Sequence, residues 1–294
     1  MLLKLLYSHT ITPCYMFLNN PLNKFNVGYA LSGGGSRGFA HLGAIKALEE
    51  RLVKPDIIAG TSAGALAGVL YADGFAPEEI CEMFTHTKFK QFIELTFPTT
   101  GLFRPTGLYH FLKKNLRSNT FEQLETPFIA VATDWDKGTT VNFSKGDKLI
   151  DSVVASCCVP LIFSPVQIDD RTYVDGGIFK NLPASTIRRK CRVLFGVNVS
   201  VAMPPEEKHN LKYIAERTFN MMSISNTIAD KKLCDVLIEV EGIENYWMFN
   251  LSDIDTIFKK GYECAVNTMK ERKVTNTIVK SKMLKLLNIN KDNG

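Results

Sequence analysis

Asp56-Ile57-Ile58-Ala59-Gly60-Thr61-Ser62-Ala63-Gly64-Ala65-Leu66-Ala67-Gly68-Val69-Leu70 divides into a strand, a tight turn and a helix. The first four residues are a short apolar run of the kind a buried strand carries, and the small residues from Ala63 to Leu70 continue as a helix. Between them, Gly60-Thr61-Ser62-Ala63-Gly64 is a G-x-S-x-G segment in strand–turn–helix context. That arrangement exposes a serine hydroxyl at the carboxyl edge of a sheet. Glycines at 60 and 64 suit the turn, since a side chain two positions either side of the serine would collide with a neighbouring element. The spacing by itself is common. Its place after a strand makes Ser62 a candidate nucleophile.

Working upstream, Asn26 to Leu31 reads as a short buried strand that runs into Ser32-Gly33-Gly34-Gly35-Ser36-Arg37-Gly38. A helix follows from about Phe39 to Arg51, with Leu42, Ile45 and Leu48 at helical spacing. This β-α-β-α beginning predicts a parallel sheet covered by helices. Downstream, helices are predicted over Pro77–Thr85, Gly107–Leu116, Asp147–Ser156 and Ile254–Met269, the last with a clear apolar face. Strands are predicted over Phe128–Thr133, Thr139–Phe143, Val166–Ile168, Thr172–Val174, Val193–Val199 and Val236–Val240. Residues 88–107 break this rhythm, mixing phenylalanines with Pro98, Gly101 and Pro105. They read equally as an apolar flap or as a buried helix plus a loop.

At 294 residues the chain can build one large domain or two small ones, with ample core. Residues 1–25 read as a poorly structured extension, within which Met16 is an alternative start, 26–270 as the domain, and 271–294 as a basic tail or helix. The net charge of +5 is concentrated at the end, with nine Lys/Arg against three Asp/Glu from Lys259 to Gly294. The remainder is close to neutral, so no basic stripe argues for nucleic acid. A basic tail beside an apolar helix could touch an anionic membrane, though a solvated C-terminal helix with a frayed end explains it more simply. Seven cysteines without a C-x-x-C pair argue against a disulfide framework or a zinc site, and fit a reducing, cytoplasmic setting. Cys157-Cys158 reads as buried packing. The first residues lack the continuous apolar run and cleavage site of a secretory signal, and no later stretch has the length of a membrane span.

Ester cleavage through a serine needs an exposed hydroxyl, a base for its proton and donors for the oxyanion. Ser62 offers the hydroxyl. Gly33, Gly34 and Gly35 lie at the end of the preceding strand, where their N–H groups can point at a carbonyl held over Ser62, with the Ala63 N–H as a further donor. Arg37 at the following turn supplies positive charge for an anionic group, or else ties the loop down. The same glycines satisfy the G-x-G-x-x-G dinucleotide fingerprint, as Gly33, Gly35 and Gly38. That reading needs an acid at the end of the second strand, where Ala59-Gly60 stand instead. For the base, only His209 follows in the Ser–Asp–His order of an α/β-hydrolase triad, and its polar surroundings read as a surface loop. Asp175, ahead of Gly176-Gly177 at the end of a strand, can accept the proton directly. On its own, Asp-Gly-Gly is no more than a turn.

Together these segments resemble the patatin-like phospholipases, whose signatures are G-G-G-x-R/K-G, G-x-S-x-G and D-G-G/A. They occur here in order as Gly33–Gly38, Gly60–Gly64 and Asp175–Gly177. Ala132-Thr133-Asp134, Ala155-Ser156 to Pro160, and Asn181-Leu182-Pro183 match lesser features. The resemblance covers residues 26–270 and is strongest to the single-domain bacterial branch. It implies an α/β fold, a three-layer α/β/α sandwich around a mainly parallel sheet. It further implies a Ser62–Asp175 dyad, an oxyanion loop of Gly33, Gly34 and Gly35, no catalytic histidine, no metal and no organic cofactor. The implied substrate is a lipid or lysolipid ester. A general carboxylesterase or thioesterase, or a catalytically silent regulatory protein on the same fold, are the alternatives. Two departures stand out: Arg51-Leu52-Val53 occupies a place where the family often has glycine, and Leu161 replaces a small residue with the prospect of reshaping the acyl pocket.

Overall fold

The computed structural model describes residues 24–85, 94–95, 101–202, 211–248 and 251–292. Residues 1–23, His209 and most of the 88–107 segment lie outside the described residues. In chain order the elements begin β1 (Phe25–Leu31), α1 (Phe39–Glu50), β2 (Ile57–Thr61), α2 (Ala63–Ala72), α3 (Pro77–Thr85). They continue β3 (Glu94–Leu95), β4 (Phe103–Arg104), α4 (Thr106–Asn115), β5 (Phe128–Asp134), β6 (Thr139–Phe143), α5 (Leu149–Ser156). The remainder is β7 (Val166–Ile168), β8 (Arg171–Asp175), α6 (Ala184–Ile187), β9 (Cys191–Asn198), α7 (Leu211–Lys231), β10 (Val236–Glu239), α8 (Ile254–Met269) and α9 (Arg272–Asp292).

Eight strands form one sheet in the order β10-β9-β1-β2-β5-β8-β7, with β6 on the other edge of β5. The pairs from β10 through β5 are parallel, and β6, β7 and β8 add antiparallel pairings at one side. Both faces of the parallel part are covered, and the strands show it by strict alternation. Val27, Tyr29 and Leu31 of β1, Ile58 of β2 and Phe128 of β5 enter one core with α1, α2 and α8. Ala30, Ile57, Ala59, Ile129 and Val131 enter a second core with Ala184 and Ile187 of α6. Period-two side chains buried on both faces require a helical layer on each. The result is the three-layer α/β/α sandwich.

Helix α9 also belongs to this body: Val274 and Ile278 are buried in the first core. Among the described residues no helix is long and apolar enough to cross a membrane.

Two details concern the departures noted in the sequence. Leu52 closes α1 in the left-handed conformation, with φ 56°, and is 74% exposed. That is the position where a helix ordinarily places glycine. Leu161 also has positive φ, 69°, and its side chain is 66% exposed. It faces solvent and does not line the apolar cleft beside Ser62 described below.

Candidate active site

Ser62 stands between β2 and α2 with φ 52° and ψ −123°. A non-glycine residue held there carries strain on the order of 1–3 kcal/mol, which the surrounding packing must enforce. The flanking glycines are what allow it. A Cβ at Gly60 would fall 2.3 Å from the Gly64 carbonyl oxygen, and one at Gly64 would fall 2.3 Å from the Leu31 carbonyl oxygen. The Ser62 N–H donates to Ser156 Oγ at 2.8 Å, and Ser156 Oγ in turn donates to the Val131 carbonyl at 2.6 Å. The turn is thereby tied to β5.

Asp175 is brought to Ser62 by an end-to-end meeting of strands. β6 covers one edge of β5; the other edge pairs first with β2, as far as Thr61 opposite Val131. From Ala132 onward that edge pairs with β8, which runs the opposite way and ends at Asp175 opposite Ala132. The carboxyl ends of β2 and β8 thus point at each other across adjacent positions of β5. The last residue of β8 meets the first residue after β2.

The carboxyl group is fully buried. Oδ1 accepts from the Gly177 N–H at 2.7 Å. The Ser62 hydroxyl is near enough to act on the charge but outside strict hydrogen-bond geometry, so Oδ2 is buried without a standard partner. Burial raises the pKa from 3.8 to about 7, with Ser62 and the Gly177 N–H pulling the other way. A carboxylate stripped of water is a stronger base, which suits proton abstraction near neutral pH. The backbone is fixed as well: the Asp175 N–H donates to the Cys158 carbonyl, and Thr133 Oγ1 donates to the Asp175 carbonyl at 3.0 Å. Gly176 has no room for a side chain, a Cβ there falling 2.3 Å from the Val131 carbonyl oxygen.

The glycine loop reaches Ser62 closely, since a Cβ on Gly33 would lie 3.1 Å from the Ser62 Cβ. Among the described residues the N–H groups of Gly34, Gly35 and Ala63 have no acceptor. Gly33 departs from the expected role: its N–H donates to the Asn181 carbonyl at 3.1 Å and is committed to the framework. Arg37 takes the tie-down role through its Nη1, and its Nε stays buried beside the small cavity at Ser62. The residue is fully buried, and Nη1 donates to the Val201 carbonyl at 3.1 Å. Burial lowers its pKa to about 10, with Glu216 and Glu244 opposing. Gly38 lets the loop pass α2, a Cβ there meeting the Ala63 Cβ at 2.7 Å.

Two cavities meet at Ser62. One is an apolar cleft of about 850 Å³, mouth included, walled by Phe39, Leu42, Leu66, Ile80, Phe84, Leu108, Val159 and Phe163 among others. The other is small and polar, walled by Gly33, Gly34, Gly35, Arg37, Asn181 and residues of α7. Cys157 lines the apolar cleft and Cys158 is core; burial pushes both thiols well above their ordinary pKa, so they are inert. Of the described histidines, His41 donates from Nε2 to the Ser32 carbonyl at 2.7 Å and is held neutral by burial, its pKa lowered to about 4. His110 is exposed on α4. Neither hydrogen-bonds to Ser62 or Asp175. No cluster of three His, Cys, Asp or Glu side chains suited to a metal occurs among the described residues.

Sequence reasoning missed α7. Its inward side carries Glu216, Asn220, Ser223, Thr227 and Asp230, all buried, at the i, i+4, i+7, i+11, i+14 spacing of a helix. Asn226 on the same helix donates to the Gly177 and Ile178 carbonyls and accepts from the Asn181 N–H. Asp230 accepts from Lys180 Nζ and the Ser185 N–H. The helix is thus a polar clamp on the loop that follows Asp175. Ala215, Phe219 and Met222 give it a short apolar row, and the polar row beside it would show in a search for polar periodicity. Ser156 and Asn181 lay within quoted segments, but nothing in the residues assigned them to the turn and the polar cavity.

A family model described as patatin-like phospholipase matches residues 29–187. An uncharacterized NTE family protein of Mycobacterium tuberculosis is 34% identical over 163 residues, 55% of this chain and 45% of that protein. Lysophospholipase NTE1 of Kluyveromyces lactis is 25% identical over 283 residues, 84% of this chain and 19% of that one. The chain therefore spans less than half the length of either relative. Among solved structures, VipD from Legionella pneumophila aligns with a TM-score of 0.50 at 15% identity, covering 84% of this chain and 67% of that one, a likeness of fold. With its strand–turn–helix serine, glycine loop and matching family model, this chain belongs to the patatin-like phospholipase family.

Proposed function

We propose that this chain is a serine acyl hydrolase of lipid esters, acting as a phospholipase A or lysophospholipase through a Ser62–Asp175 dyad. The observation that carries the proposal is the meeting of a strained serine and a buried, proton-avid carboxylate at the mouth of an apolar cleft. The lysophospholipase named among the relatives supports the same substrate class.

The acyl chain lies in the apolar cleft, which sets the scissile carbonyl over Ser62. Ser62 Oγ attacks the carbonyl carbon while its proton passes to Asp175, a contact that tightens once substrate is bound. The Gly34, Gly35 and Ala63 N–H groups receive the oxygen that becomes negative. Collapse expels the alcohol, which leaves with the proton from Asp175, and water then releases the fatty acid from the acyl-enzyme. These steps use no metal and no organic cofactor. Lipid substrates imply peripheral contact with a membrane surface, and the cationic surplus from Lys259 to Gly294 suits an anionic one. The unpaired thiols fit a cytoplasmic protein.

The test is hydrolysis of lysophospholipid micelles and p-nitrophenyl esters by the wild type and by Ser62→Ala and Asp175→Asn. Both variants should be inactive, and a fluorophosphonate probe should label the wild type but not Ser62→Ala. Full activity in Ser62→Ala would refute the proposal. A preference for short soluble esters over micelles would reassign the substrate to general carboxylesters.

A further inference from the structure

We infer that Asn181 is a catalytic residue of this site, donating from Nδ2 to the carbonyl oxygen that turns negative when Ser62 attacks. The inference rests on the acyl-hydrolase reading.

The small polar cavity beside Ser62 has room for about 10 Å³, enough for one oxygen atom and little more. Its walls hold a set of unmet donors. Asn181 Nδ2 and Arg37 Nε are buried without an acceptor, and the main-chain N–H groups of Gly34 and Gly35 have none among the described residues. Buried donors left unmet are costly, so a fold that keeps several together is holding them for an atom that only accepts. An oxyanion is such an atom.

The orientation of the Asn181 amide follows from what its other end touches. Oδ1 sits against two glycine α-carbons: a Cβ on Gly33 would fall 2.4 Å from it, and one on Gly177 would fall 3.0 Å away. C–H groups suit an acceptor and would leave an NH₂ without a partner, so Oδ1 faces the glycines and Nδ2 faces the cavity. The residue is 1% exposed and held by its main chain, the N–H donating to Asn226 Oδ1 at 2.8 Å and the carbonyl accepting from Gly33. Asn181 therefore occupies one glycine donor of the loop and presents a side-chain donor in its place.

In the reaction, Ser62 Oγ bonds to the carbonyl carbon, its proton moves to Asp175, and the C=O π pair moves onto oxygen. Nδ2–H and the glycine N–H groups bind that oxygen. When the C=O bond re-forms, the ester C–O bond breaks and the departing oxygen takes the proton from Asp175. Asn181 keeps its own protons throughout.

The test compares Asn181→Ala and the isosteric Asn181→Asp with the wild-type full chain. The readouts are p-nitrophenyl ester kinetics, inhibition by an alkyl trifluoromethyl ketone whose serine adduct carries the same oxyanion, and melting temperature. Loss of one oxyanion donor should lower kcat about 10²–10³-fold. KM should stay nearly constant, ketone affinity should fall along with kcat, and the melting of Asn181→Ala should change little, whereas Asn181→Asp buries a carboxylate beside Asp175 and should melt lower as pH rises. Wild-type kcat, a change in KM alone, or retained ketone affinity beside a lowered kcat would overturn the inference. So would failure of both variants to fold, which would make Asn181 a framework residue. The two readings fail separately. An active Ser62→Ala refutes the acyl hydrolase itself, whereas an inert Ser62→Ala beside fully active Asn181 variants refutes only the role of Asn181.

Discussion

Replacing Asp175 with asparagine should remove activity and stabilise the protein, and the gain should depend on pH. The folded carboxyl group titrates near pH 7 against an ordinary 3.8, because burial disfavours its charge. Between those two values the folded state binds a proton that the unfolded state has lost, so stability falls as pH rises through that window. The window spans about three pH units, and at about 1.4 kcal/mol for each the wild type gives up as much as about 4 kcal/mol by pH 8. The asparagine side chain would keep the acceptor for the Gly177 N–H and carry no charge. Since the new NH₂ finds no better partner than Oδ2 had, about half of that figure is the expected gain at pH 8. For a chain of this size it corresponds to a rise of about 5 °C in melting temperature. At pH 4 the wild-type side chain is neutral as well and the cost of the unpartnered NH₂ remains, so Asp175→Asn should melt somewhat below the wild type. The assay is thermal unfolding of the two proteins at pH 4, 6 and 8. In parallel, wild-type kcat/KM on a soluble ester should climb about tenfold per pH unit to near pH 7 and then level. A destabilised Asp175→Asn at pH 8, or a gain of equal size at pH 4, would refute the argument that burial of this carboxylate opposes folding.

Three further outcomes follow from local geometry. Gly64→Ala would place a Cβ 2.3 Å from the Leu31 carbonyl oxygen, so denaturant unfolding should show a loss of at least about 3 kcal/mol, together with loss of activity. Leu52→Gly should stabilise by about 1 kcal/mol, read as a shifted denaturation midpoint with an unchanged slope, because it relieves a left-handed residue whose side chain is 74% exposed. Ala67→Phe would fill part of the apolar cleft that Ala67 lines, and each methylene kept out of it costs about 0.8 kcal/mol. Esters of long fatty acids should slow by about 100-fold while acetate and butyrate esters change little, measured as kcat/KM across a chain-length series.

What could be read before folding was whatever local sequence determines. The parallel strands, the turn at Ser62 and the glycine loop carry their reasons in adjacent residues. Gly60 and Gly64 are where the main chain of a neighbouring element leaves no space, and the alternation in β1, β2 and β5 reports two buried faces. Partnership of Ser62 with Asp175 was suggested by motif order alone, since its physical cause is distant. It depends on β5 handing one edge from β2 to β8 at Ala132, and a register of that kind leaves no mark in either strand. The commitment of the Gly33 N–H was hidden for the same reason, being set by the carbonyl of Asn181, far along the chain.

Helix α7 shows most clearly why the remainder was not legible. A helix covering a core is ordinarily recognised by an apolar stripe facing inward. Here Ala215 and Phe219 enter the first core, while Glu216, Asn220, Ser223, Thr227 and Asp230 form a second, polar buried row, and the residues exposed on the other side include Ile214, Met221 and Ile228. The polar row has a cause in what the helix must cover. The segment from Gly176 to Asn181 leaves β8 as a single 3₁₀ turn (Gly176–Ile178) and a short loop, so several of its carbonyls and N–H groups find no ladder and require side-chain partners if they are to be buried. Asn226 and Ser223 provide them, and Asp230 holds the adjacent Lys180. That segment follows Asp175, the proposed base, and ends at Asn181. Fixing it from an apolar surface would leave three backbone groups unmet, the Gly177 and Ile178 carbonyls and the Asn181 N–H, each costing on the order of 1–3 kcal/mol. A helix with a polar row beside its apolar one is therefore the less costly cover for this segment, and the apolar stripe is interrupted because the backbone beneath it needs hydrogen bonds.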